Sequence, residues 1–242
     1  HDCAKVFELV RKDEGYVNGF GRRVDVEEEP IYGLVKSADL KEMIITEPKR
    51  FVIVTQKRIG EDTAYIKRYF PKLYRYLADY GELLQSRKSA VYKNNPPFAM
   101  FGIGEYSFAP FKVVISGMHK QPQFALLLPY RDKPVMVDDT CYLLGFQDIA
   151  SAIFVWALLN HPSIQELLSA ITFADAKRPF TKHVLMRLDI HALARDVAYS
   201  DVVDFVRRHS DSLLAQISQE KWSAFLASLT SPIQAPEQLT LF

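Results

Sequence analysis

Lys112-Val-Val-Ile-Ser116, Phe124-Ala-Leu-Leu-Leu128 and Pro134-Val-Met-Val137, followed by Ile149 to Leu159, are the stretch whose reading decides the fold. The first three are short apolar or β-branched runs between turn residues and predict strands. In the fourth, Ile149, Ile153, Trp156 and Leu159 recur at helical spacing and predict a helix with one apolar stripe. Upstream, Val6–Val10, Arg22–Val26 and Phe51–Thr55 read as strands, the first two separated by Asn18-Gly19 and Gly21 turn signals. One helix is expected from Pro71, through Leu73, Tyr76, Leu77, Tyr80, Leu83 and Leu84, until Asn94-Asn95-Pro96-Pro97 ends it. Downstream, Asn160-His161-Pro162 breaks the apolar helix, and Ser163 with Glu166 predicts a capping-box start for the next. Further helices are expected near 200–208 and 218–229, the latter burying Trp222, Phe225, Leu226 and Leu229. Strands precede helices instead of alternating with them. The expected class is therefore α+β, with a mixed or antiparallel β-rich N-terminal and central part and a helical C-terminal part.

The 242 residues carry 30 Lys+Arg against 29 Asp+Glu, with 48% apolar and 24% charged residues. Disordered and low-complexity classes are thereby excluded. The apolar run Ile153–Leu159 falls far short of the ~20 residues that span a bilayer. Two cysteines, Cys3 and Cys141, argue against a secreted disulfide framework and for a reducing cytoplasm. The chain opens on His1, as a fragment of a longer protein would. Its net charge of +1 hides an uneven distribution. Residues 1–48 hold 7 basic and 11 acidic side chains, 49–120 hold 13 and 5, and 121–242 hold 10 and 13. Aromatics including Tyr65, Tyr69, Tyr74, Tyr92, Phe98 and Phe101 interleave with the cations of the middle segment. Such a surface suits phosphate and base contacts; a solvated helix face over an aromatic core has the same composition.

Asn95-Pro-Pro-Phe98 matches the tetrapeptide with which some enzymes hold an exocyclic amine for methylation. The only nearby glycine-rich stretch, Phe101-Gly-Ile-Gly104, follows it too closely to be a cofactor loop, so a turn is the better account. Asp175-Ala-Lys177 with Asp138 or Asp139 offers a Mg²⁺-dependent nuclease constellation, with two carboxylates on the ion and Lys177 on the attacking water. The six histidines lack ligand spacing, which argues against zinc.

Leu34-Val-Lys-Ser-Ala-Asp39, Thr55-Gln-Lys-Arg-Ile-Gly-Glu-Asp-Thr63, Arg87-Lys-Ser-Ala-Val-Tyr-Lys93, Phe101-Gly-Ile-Gly-Glu-Tyr-Ser-Phe-Ala-Pro-Phe-Lys-Val113, Ser116-Gly117, Asp138-Asp-Thr-Cys-Tyr142 and Phe173-Ala-Asp-Ala-Lys-Arg-Pro-Phe-Thr181 occur in that order. Together they resemble the C-terminal target-recognition region of adenine-specific DNA methyltransferases of restriction–modification systems, over roughly residues 5–195. The resemblance implies that this chain grips double-stranded DNA. It also implies that a separate N-terminal methyltransferase domain binds S-adenosylmethionine and carries the chemistry. No cofactor is then expected in this chain, and Asn95–Phe98 becomes a look-alike of the catalytic motif. The implied divisions are a recognition domain at 1–195, a helical extension at 196–232 and a tail at 233–242.

On physical grounds the DNA-contact candidates are Lys36, Ser37, Gln56, Lys57, Arg58, Arg87, Lys88, Tyr92, Lys93, Lys112, Lys177 and Arg178. Lysines mainly meet phosphates, whereas Gln56, Arg58, Arg87 and Arg178 have the geometry for bidentate base-edge contacts. The tail Gln238-Leu-Thr-Leu-Phe242 resembles the peptide by which bacterial DNA-processing proteins dock on the replication sliding clamp, with Gln238, Leu239, Leu241 and Phe242 as anchors. Two other function classes stay open: the Mg²⁺ nuclease using Asp139, Asp175 and Lys177, and a non-catalytic protein-interaction scaffold.

Overall fold

A computed structural model describes residues 3–13, 15–89, 92, 95–173 and 175–230. The fold is α+β. The chain forms two compact units from interleaved segments: His1–Val35, Glu47–Phe108 and Pro129–Met136 make the first, and Lys36–Thr46, Ala109–Leu128 and Val137–Phe242 the second. The expected division near residue 195 falls among the helices of the second unit.

In the first unit, β1 (Glu8–Lys12), β2 (Gly15–Asn18), β3 (Arg23–Val24), β4 (Ile31–Val35) and β6 (Arg50–Ile53) join β9 (Met136–Val137) in the order β3-β2-β1-β6-β4-β9. The first strand starts later than its apolar run suggests, because Ala4–Phe7 closes a helical turn, α1. The chain then reverses twice, first at Asp13, whose φ is +49°, and again at Asn18-Gly19. The Asn18 carboxamide sets the second reversal by accepting from Phe20 N and Arg22 N while donating to Tyr76 and Tyr80. A Cβ on Gly19 would lie 2.7 Å from that of Lys5.

The helix expected from Pro71 is two, α3 (Pro71–Asp79) and α4 (Gly81–Gln85), preceded by a short α2 (Tyr65–Tyr69). Helical backbone is interrupted at Tyr80, whose hydroxyl is held by Asn18 and whose ring stacks on Phe20. Glu27 accepts from Lys72 N and Leu73 N at the start of α3, and these hydrogen bonds hold its carboxyl below the usual range although burial pushes it up. Leu73, Tyr76 and Leu77 of α3 join Val6, Leu9, Phe51 and Ile53 in the first core.

In the second unit, β5 (Ile44–Ile45), β7 (Phe111–Ser116), β8 (Phe124–Leu127) and β10 (Cys141–Phe146) form a sheet ordered β10-β7-β8-β5, antiparallel except for β5 with β8. Helix α5 (Ile149–Leu159) begins where Asp148 accepts from Ala150 N and Ser151 N. Instead of burying one stripe, it buries every residue from Ala152 to Leu159. An all-apolar helix belongs at the centre of a unit. One side meets the sheet, where Trp156 Nε1 donates to Phe124 O. Phe154 packs on Trp222 and Phe225, and Trp156 on Phe205, from two later helices. These are α9 (Tyr199–His209) and α10 (Gln219–Thr230), and they match the expected C-terminal helices. Between them and α5 lie α6 (Pro162–Ile171), α7 (Lys182–Leu185) and α8 (Ile190–Asp196). The expected Ser163 cap of α6 is corrected: Pro162 already occupies the first turn, and His161 Nδ1 accepts from Ser163 N.

Candidate nucleic-acid interface

Beyond β6 the first unit keeps its chain buried through Thr55 and Gln56 before it surfaces as a loop. Thr55 Oγ1 donates to Phe98 O at 2.7 Å. The Gln56 carboxamide forms both possible bonds to one residue, with Nε2 donating to Met100 O (3.0 Å) and Oε1 accepting from Met100 N (3.1 Å). From the other side, Arg87 donates through Nε to Leu84 O, through Nη1 to Ala99 O and through Nη2 to Pro97 O, at 2.6–2.8 Å. Its guanidinium also lies 3.9 Å from the centroid of the Tyr92 ring. Segment 97–100 is thus stapled from both sides.

On this frame stand Lys57 and Arg58. The Glu61 carboxylate accepts from both their backbone N–H groups, and Gly60 turns the chain at φ +82°. The loop backbone is therefore fixed while the side chains face solvent. Arg58 is 3.7 Å from Glu105, with side chains 73% and 79% exposed, a pairing worth little in water. Ile59 and Phe101 are exposed in the same two loops. Lys88 is exposed too.

Several expectations are corrected here. Gln56, expected to offer its amide to a base edge, is buried, and that amide is spent on Met100. Arg87 is half-buried, with three of its five donors committed to carbonyls, and Tyr92 serves as its stacking partner. Asn95–Phe98 runs into the stapled segment at Pro97 and Phe98, with Phe98 packed edge-on to Tyr74. Gly102 turns at φ +77°, and a Cβ on Gly104 would lie 2.6 Å from Tyr106, so these glycines serve a tight local turn and do not fit a cofactor cradle.

In the second unit Ser37 is buried, its hydroxyl against that of Ser116, which also accepts from Met118 N and His119 N. The expected Ser37 contact with DNA is corrected accordingly. Beside it Thr140 Oγ1 accepts from Ser37 N and donates to Asp138, and Lys36 Nζ lies 3.9 Å from the same carboxylate. Burial raises the Asp138 carboxyl, against the pull of Thr140 and Lys36. Cys141 is buried next to this cluster, with its thiol pushed up to about 12, chiefly by burial.

Lys112 is the largest correction. Expected to contact DNA, it is 0% exposed in β7 between Gly145 of β10 and Leu127 of β8. Its ammonium donates to Ala109 O at 2.5 Å, and burial lowers its pKa to about 7. Lys177 and Arg178 are exposed, and Arg178 Nη1 donates to Asp139 O at 3.4 Å. Asp139 and Asp175 are exposed, and no group of three or more His, Cys, Asp or Glu among the described residues is arranged to hold a metal. Lys93 and the tail anchors Gln238, Leu239, Leu241 and Phe242 lie outside the described residues. No helix among those described is long and apolar enough to cross a membrane.

Over 195 residues the chain is 40% identical to the type II methyltransferase M.NspV of Nostoc sp.. That alignment takes in 81% of this chain and 41% of the relative, so the chain spans about two fifths of that protein's length. The chain is thus similar, over most of its length, to part of a type II methyltransferase. A scan of protein-family models finds no match.

Proposed function

We propose that this chain is the DNA-recognition part of an adenine-specific methyltransferase of a restriction–modification system. The observation that carries the reading is the Lys57–Arg58 loop: two exposed cations on a backbone held by Glu61, next to Gln56, which is anchored to Met100. The relationship to a type II methyltransferase makes duplex DNA the polyanion to test first. In this reading Lys57, Lys88 and Lys177 neutralise phosphates and fix register, while Arg58 presents a fork to a base edge. S-adenosylmethionine and the methyl-transfer chemistry belong to a domain outside this chain, working in the cytoplasm. Base flipping into that domain needs a partner surface to hold the opened duplex.

The direct test is binding of the full chain to duplex DNA across a salt series. Log K is expected to fall linearly with log salt, and some duplex sequences to be preferred over others. Absence of binding, or an isotherm insensitive to salt, would overturn the reading. The tail carries a separate proposal: Gln238, Leu239, Leu241 and Phe242 dock on the sliding clamp. Deleting residues 238–242 is then expected to abolish co-elution with purified clamp, and undiminished co-elution counts against it.

A further inference from the structure

A second cationic surface lies on the other unit. Segment 173–187 carries Lys177, Arg178, Lys182 and Arg187 against one carboxylate, Asp175. It is a fastened strip: Phe180 is completely buried beneath it, Lys120 Nζ donates to Ala176 O at 2.6 Å, and Thr181 Oγ1 accepts from Val184 N to start α7. All four cations are exposed, with Phe173 and Met186 beside them at 78% and 63% exposure.

Some surface cations have carboxylate partners: Arg22 has Asp79, Lys72 has Asp25, and Arg207 has Asp204. Among the described residues, Lys177, Lys182 and Arg187 have none. Four like charges on one short segment with a single acid repel one another in the free protein, and a polyanion relieves that repulsion. Lys177 and Lys182 are point charges that suit phosphates, and the guanidinium forks of Arg178 and Arg187 match phosphate oxygens as well as base edges.

We infer that this strip is a second contact for the sugar–phosphate backbone of duplex DNA, in which Lys182 and Arg187 extend the Lys177–Arg178 pair. The inference rests on the recognition reading above, and it assigns the second unit a grip that is indifferent to sequence.

The test compares the full chain with its Lys182→Ala/Arg187→Ala variant on duplexes of two unrelated sequences, each over a salt series. The slope of log K against log salt is expected to become shallower by about 1.8, about 0.9 for each lost phosphate contact. The loss of affinity at fixed salt is expected to be equal on both sequences. The charge-conserving Lys182→Arg/Arg187→Lys variant is expected to restore the wild-type slope, which separates lost charge from a damaged fold. If wild type binds duplex and the alanine variant superimposes on it at every salt concentration, the strip is overturned while recognition stands. If wild type does not bind duplex, recognition and the strip fall together.

Discussion

Replacing Lys57 and Arg58 together by alanine is expected to weaken duplex binding and flatten its salt dependence by about two counterions' worth. Both side chains are exposed on a loop whose backbone bonds do not involve them, so the fold is expected to survive. Arg58 carries the further expectation of lost discrimination, about 1–3 kcal/mol where its fork meets a base edge. Arg87→Ala gives the contrast. It deprives the Leu84, Ala99 and Pro97 carbonyls of a charged donor, at a stability cost of about 1–3 kcal/mol. Chemical denaturation is expected to register that loss, while the salt slope stays near wild type. A Lys57/Arg58 variant that keeps the full slope would remove this loop from the interface.

The second large effect is on stability. Lys112→Met is expected to stabilise the protein at pH 7 and to remove a rise in stability between pH 7 and about 10. The sign follows from the lowered pKa, about 7 in the folded state against 10.5 in an unconstrained lysine. Between those values the unfolded chain binds the proton and the folded chain does not, so stability rises with pH by about 1.4 kcal/mol per unit. Below about pH 7 both states are protonated, and the full cost of a buried ammonium with one carbonyl partner is present. Methionine keeps the length and apolar stem without the charge. Denaturation of both proteins at pH 7 and pH 9.5 measures the difference, and parallel profiles would mean that the ammonium reaches water.

Much of the fold was legible from local pattern. The strands around Phe51, Val113 and Leu126 and the helices ending the chain occupy the runs that their periodicity marks. What escaped depends on distant partners. Ile31-Tyr-Gly-Leu-Val35 is a strand despite its internal glycine, because Pro48 comes so close that a Cβ on Gly33 would lie 2.5 Å from its ring. The helix break at Tyr80 involves Asn18 and Phe20, some sixty residues away. The site divides the same way. Lys57 and Arg58 are exposed as their polarity suggests, whereas their neighbour Gln56 turns inward to Met100. Lys112 carries the same charge as Lys57, yet coverage of its strand, which its own sequence does not encode, buries it.

The two units consist of three segments each, and the chain passes between them five times. Neither unit can be excised by one cut, and neither can be transplanted into a relative as a block without severing the other. The cationic loop at 56–61 and the strip at 173–187, by contrast, each lie inside a single uninterrupted segment. On the recognition role proposed above, exchange of specificity between relatives is therefore open to a short replacement at the loop and closed to shuffling of whole units. On that proposal, the threading of the backbone sets the grain size at which recognition can be rewritten.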